Sequence, residues 1–268
     1  MPRRYLTDLF PALIPLRQAQ RRAFCLLGMR LDPRRYAGTQ WGAELPRTVY
    51  HYSCPLYNPD TGFDMVYQRN KVHNLRLAAK KLDGLRLAPG ETFSFYRAVR
   101  GADRETPYRE GLVELNGRLT TEVGGGLCML SNLLFWTLLH TPLTVVERHG
   151  HREKDFPEPE SDAVRGVDAA VAEGWLDLKL RNDTEAVYQI GVDFEGECIV
   201  GRVYAAQAAP ETTVFNGPVV YRRERGAVWE LAPVLRRSGD GPEETLYVNR
   251  CRIGYELPEG TEIEEVKA

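Results

Sequence analysis

Cys128 ends the run Gly124-Gly125-Gly126-Leu127-Cys128, and a cysteine set by a glycine loop at or near the first turn of a helix has much of what a nucleophile needs. Glycines permit positive φ and close backbone approach. The unpaired amides and dipole of a helix start favour the thiolate, the reactive form of cysteine, and could also hold an oxyanion. Such a nucleophile requires a base within hydrogen-bond reach. His149 and His151 stand downstream in Glu147-Arg148-His149-Gly150-His151. Either ring could face Cys128, oriented by Glu147 or Asp168, and the residues alone do not choose. A plainer reading is open, in which the glycines form only a tight loop into a core helix, Cys128 is a small buried hydrophobe and the histidines are strand-end polar residues. His149 and His151 could instead share a metal ion with Cys128 or a carboxylate. No His-Glu-x-x-His, cysteine pair or well-spaced third ligand accompanies them, and neither a P-loop nor a dinucleotide-binding glycine pattern occurs. We therefore expect no metal and no cofactor. Gly124, Gly125, Gly126, Ser131, Asn132 and Arg148 are candidate substrate contacts around the thiol.

The elements that must position these groups follow from periodicity. Cys128 to His140 is apolar nearly all round, which predicts a central buried helix, and Thr141-Pro142 ends it. Leu143 to Val146 is short and β-branched, and predicts a buried strand. Continued through His151, a period of two puts Val145, Glu147, His149 and His151 on one face. Upstream, Val72, Leu75, Ala78, Ala79 and Leu82 recur at helical spacing, so a helix is expected over Asn70 to Asp83 with Gly84 as terminator. Thr48 to Met65 reads as a loop-rich connection with short strands. Phe93 and Phe95 fit a strand end. Asn116-Gly117 between apolar-bearing flanks predicts a hairpin just before the glycine loop. Beyond Pro157, Val167 to Val171 and Trp175 to Leu180 alternate, Val187 to Phe194 and Cys198 to Tyr204 read as paired strands around Glu195-Gly196, and short strand-like pieces continue to the acidic end.

The 268 residues are 43% hydrophobic, enough for a packed core. A formal charge of −2 gives the whole molecule no electrostatic reason to seek nucleic acid, and we expect none as a partner. Charge is nevertheless concentrated: residues 1–47 hold nine arginines against three acids. Within that segment Leu16, Ala19, Ala23, Leu26 and Leu27 share helical spacing opposite Arg17, Arg21 and Arg22, which predicts a basic amphipathic helix. It either packs on the domain with a solvated basic face or docks on an anionic membrane or acidic partner. Pro11 and Pro15 break the only signal-peptide-like apolar stretch, and no run is long enough to span a bilayer. The expectation is a cytoplasmic protein, at most peripheral at the inner face of the membrane. Five scattered cysteines without a Cys-x-x-Cys pair read as reduced thiols.

At these residues the chain resembles the VanW family. The resemblance rests on Asn74-Leu75-Arg76-Leu77-Ala78-Ala79, Leu87-Ala88-Pro89-Gly90-Glu91-Thr92-Phe93-Ser94-Phe95, the glycine loop with Cys128, Glu147 to His151, and Gly166-Val167-Asp168-Ala169. It implies a link to glycopeptide resistance and peptidoglycan metabolism. For some members an L,D-transpeptidase activity has been suggested, which would make Cys128 the acylated nucleophile and His149 or His151 its base. The family usually carries Gln where this chain has Met129. We expect an α+β fold: a glycine loop leading into a buried central helix, packed on mainly antiparallel sheet, with a β-rich C-terminal half. Three regions are expected: a basic helical segment over 1–47, a core over 48–205, and a β-rich extension over 206–268 packed on the core. The function expected is a cysteine-dependent acyl transferase or amidase acting on a cell-wall peptide or peptidoglycan precursor. The alternative is a non-catalytic module that binds such a precursor or a resistance-pathway partner in the same groove. An exposed thiol with a histidine beside it separates the first from the second.

Overall fold

The computed structural model describes residues 14–40, 42–115, 118–154 and 162–266. Helix α1 (Ile14–Leu31) leads into the short strand β1 (Thr39–Gln40) and the edge strand β2 (Arg47–Pro55). Helix α2 (Met65–Leu82) starts earlier than its apolar spacing suggests, because the Asp64 carboxylate caps it by accepting the Val66 amide at 2.7 Å. It ends before Gly84, at φ +76°. Then come β3 (Leu85–Leu87), β4 (Thr92–Ser94), the short helix α3 (Phe95–Val99), and the hairpin β5 (Glu110–Leu115) with β6 (Arg118–Val123). The hairpin pairs through Leu115 and Arg118; the Asn116-Gly117 turn lies outside the described residues. Helix α4 (Leu127–Leu139) follows the glycine loop, and then β7 (Thr144–Glu147), β8 (Glu153–Lys154), β9 (Lys179–Arg181), β10 (Tyr188–Glu195) and β11 (Cys198–Ala205). The last part holds β12 (Thr212–Asn216), β13 (Val220–Glu224), β14 (Ala227–Ser238), β15 (Glu244–Ile253) and β16 (Ile263–Glu265).

Helix α4 is the centre of the core. Leu130, Leu134, Phe135 and Leu139 are completely buried, as the all-round apolar sequence requires. One side crosses the five-stranded sheet of order β1-β3-β10-β11-β2. Gly201 on β11 makes that crossing close: a Cβ there would stand 2.9 Å from both Leu133 Cγ and Thr137 Oγ1. The far end of α4 is fixed by the C-terminal sheet, of order β16-β13-β14-β15-β8 with β12 on β14. Buried Arg236 of β14 donates to the carbonyls of Thr141 and Leu143 at 2.7 and 2.8 Å, and Tyr247 of β15 stacks on Phe135. All strand pairings are antiparallel except β13 with β16 and β8 with β15. The fold is thus α+β, with the buried helix and the β-rich second half in the expected places.

Three local expectations fail. The first part of the region read as a loop-rich connection with short strands forms the nine-residue strand β2, which pairs with β11 along its length, and only the residues after Pro55 are loop. The alternating stretch Val167 to Val171 makes no strand. Helix α1 forms but, against the reading that packs its apolar side on the domain, leaves Leu16, Phe24, Leu27 and Leu31 68, 64, 50 and 73% exposed. It leans on the core through Arg21, over the Trp175 ring at 4.2 Å, and through its backbone at Arg22, against Gly174. No described helix is long and apolar enough to cross a membrane.

Candidate functional site

Each glycine before Cys128 is required by its surroundings. Gly124 and Gly126 have φ of +84° and +97°, where a side chain is strained. A Cβ on Gly125 would stand 2.3 Å from the Gly111 carbonyl of β5, and one on Gly126 would stand 2.3 Å from Lys71 Cγ of α2. The loop is therefore wedged between the hairpin and α2, and Asn74 of α2 fixes it by donating to the Gly125 carbonyl at 3.0 Å. Gly126 is the N-cap residue of α4 and no side chain caps the helix. The Met129 amide donates back to the Gly126 carbonyl at 3.0 Å, which leaves the amides of Leu127 and of Cys128, the second helical position, for an anion. Cys128 is half-buried, with its Sγ 3.5 Å from the Val171 carbonyl.

Strand β7 stops at Glu147, so the period of two does not carry to the histidines. The chain turns instead, and each histidine finds a different carboxylate. His149 Nε2 lies 3.1 Å from Glu147 Oε1, and Glu147 also accepts from Lys179 Nζ at 2.7 Å. His151 Nδ1 lies 2.9 and 2.8 Å from the two oxygens of Asp168, whose carboxylate also accepts the His151 backbone amide. The Cys128 thiol, which donates to the Val171 carbonyl, lies near enough to this ring to help raise its pKa. The structure thus brings Cys128, His151 and Asp168 together and pairs His149 with Glu147 apart from them. Burial opposes a charge on His151, but the bonds to Asp168, the neighbouring Cys128 and the nearby charge of Glu114 prevail and push its pKa up to about 11. Burial likewise opposes ionisation of Asp168, yet His151 holds its carboxyl below the usual carboxylate range.

Ser131, Asn132 and Arg148 hold this group in place. Ser131, fully buried, bridges the Cys128 and Ala169 carbonyls at 3.0 and 2.6 Å. The Asn132 carbonyl oxygen accepts the Ala169 amide at 2.7 Å. Arg148 donates to the Asp168 and Gly166 carbonyls and to Asn249 Oδ1, and lies over the Tyr247 ring. These bonds clamp the segment carrying Asp168 against the start of α4. Gly150 admits the arrangement, since a Cβ there would stand 2.6 Å from the Arg148 guanidinium.

Two tyrosines escaped the sequence reading because they come from remote segments without any motif. Tyr96 of α3 is pushed up by burial and by the nearby charge of Cys128. Tyr108 lies against Gly124, and its buried hydroxyl has no hydrogen-bond partner among the described residues. A thiol beside an imidazole that a carboxylate orients, at a helix start without a side-chain cap, can form and break a thioester.

Comparison with known proteins agrees with the motifs. The family model described as "VanW like protein" matches residues 70–204. The chain is 52% identical over 272 residues to the vancomycin B-type resistance protein VanW of Enterococcus faecalis, covering 99% of each. It is 33% identical over 115 residues to the uncharacterized protein YoaR of Bacillus subtilis, covering 42% of this chain and 36% of that protein. No solved structure matches.

Proposed function

Since the chain belongs to the VanW family, we propose that it serves glycopeptide resistance as a cysteine-dependent acyl transferase or amidase acting on a peptidoglycan stem peptide or its precursor. The observation that carries this reading is that Cys128 neighbours His151, whose ring Nδ1 is held by the Asp168 carboxylate. The Cys128 thiolate attacks a peptide carbonyl, forming a C–S bond while the oxyanion faces the Leu127 and Cys128 amides at the start of α4. Collapse breaks the C–N bond, and the His151 imidazolium gives its proton to the leaving amine. A second amine, or water in the amidase case, then attacks the thioester, loses its proton to His151 and releases the thiolate. Asp168 keeps the ring in the tautomer that turns Nε2 toward sulfur throughout.

The test is intact-mass analysis of the full chain incubated with a synthetic stem tetrapeptide. An adduct of the acyl mass, absent from Cys128→Ser, is the expected result. Saturable peptide binding without an adduct, and without turnover, would place the protein among binding modules instead. Helix α1 fits a position at the inner face of the membrane: its exposed Leu16, Phe24, Leu27 and Leu31 form an apolar stripe at the end of a segment rich in arginine.

A further inference from the structure

A cavity of about 390 Å³ opens between the end of α1 and helix α3, away from Cys128. Four arginines line it, Arg30, Arg34, Arg97 and Arg100, against one carboxylate, Asp32. That carboxylate is already engaged, since Asp32 accepts from the Tyr36 hydroxyl at 2.6 Å and from the Arg34 side chain and amide at 3.2 and 3.0 Å. Arg30, Arg97 and Arg100 have no carboxylate partner among the described residues. Arg97 is held in place by donation to the Met29 carbonyl and by its position over the Tyr36 ring at 4.1 Å, while its buried Nε has no hydrogen-bond partner among the described residues. Uncompensated guanidinium groups converging on a cavity repel one another, and a buried orphan donor is unfavourable. A dianionic group with several acceptor oxygens relieves both at once, because each guanidinium fork can take two phosphoryl oxygens.

We propose that this cavity is a subsite for the diphosphate group of a ligand. Arg30 and Arg100, both exposed at the cavity, and the half-buried Arg97 supply the donors to the phosphoryl oxygens. A second cavity, of about 330 Å³, shares Met29, Asp32 and Tyr36 with the first and reaches Tyr96 and Ala172. Ala172 follows the Val171 carbonyl that touches the Cys128 thiol. On the acyl-transfer reading, which this last step rests on, the substrate carries its peptide and its diphosphate in one molecule, as an activated precursor does.

Calorimetric titration of the full chain with inorganic pyrophosphate tests the subsite. Saturable one-site binding is expected, weakened about tenfold or more in the Arg30→Gln/Arg100→Gln double variant and unchanged in Arg237→Gln, an exposed arginine on β14. Cys128→Ser should bind pyrophosphate as the wild type does, so a failed acyl-enzyme experiment with retained binding rejects only the catalytic reading. Absence of saturable binding overturns the proposal, as does equal weakening in Arg237→Gln. So does binding seen only with vesicles of phosphatidylglycerol and phosphatidylcholine, which would assign the arginines to a membrane surface.

Discussion

Replacing Asp168 by Asn preserves the shape of the side chain and removes the charge that orients His151. One amide oxygen must then serve both the ring Nδ1 and the backbone amide, which the carboxylate now shares between two oxygens at hydrogen-bonding distance. The amide nitrogen brings a donor toward donors. Charge-assisted hydrogen bonds contribute roughly 1.5–3 kcal/mol, and breaking a buried pair costs roughly 3–5 kcal/mol. His151 and Asp168 side chains are 26 and 17% exposed, so some solvent screening applies and a loss of about 3 kcal/mol is expected. At roughly 2–4 °C per kcal/mol, Tm should fall by about 10 °C. The pH dependence has a definite sign. His151 is raised from 6.5 to about 11, so its contribution is complete below pH 6.5 and fades as pH rises toward 11. Asp168 is lowered from 3.8, so its contribution is present above pH 3.8 and lost as pH falls through its folded value. The difference between wild type and Asp168→Asn should therefore be widest between pH 3.8 and 6.5 and narrow on the alkaline side. Urea unfolding followed by tryptophan fluorescence at pH 5.5, 7.5 and 9.5 measures it. A loss under about 0.5 kcal/mol at pH 5.5, or one that grows with pH, would refute the pairing.

Gly125→Ala sets a methyl 2.3 Å from the Gly111 carbonyl, and should cost about 3 kcal/mol or more by displacing either the hairpin or the start of α4; thermal unfolding reads it. Ser131→Ala removes from a fully buried site the hydroxyl whose one proton is shared between the Cys128 and Ala169 carbonyls, and should lower stability by about 1–3 kcal/mol, with slower Cys128 labelling as the Asp168 segment loosens. Phe24→Glu with Leu27→Glu should abolish co-sedimentation with phosphatidylglycerol-containing vesicles while leaving Tm within a few degrees, since both side chains are exposed.

Helix α4 was legible because a segment apolar on every side can only be buried, and Cys128 because a glycine loop before a helix is a local signal. The choice of histidine was not legible. It depends on β7 ending at Glu147, and on Asp168 being held without a strand by the side chains of Ser131, Asn132 and Arg148. Those bonds replace the ladder that alternation over Val167 to Val171 suggested. For α1, periodicity tells which residues share a face but not which face is covered; that was decided by Gly174 and Trp175, far away in sequence. The arginine cavity was hidden for the same reason, since Arg30 and Arg34 meet Arg97 and Arg100 only in the fold.

The central claim is that His151, and not His149, governs the Cys128 thiol. Alkylation of Cys128 by iodoacetamide, read by peptide mass spectrometry from pH 5 to 10 in the wild type, His149→Ala and His151→Ala, tests it most directly. The expected result is a His149→Ala profile that overlays the wild type and a His151→Ala profile displaced to higher pH. Three superimposable profiles, or a displacement in His149→Ala alone, would contradict it.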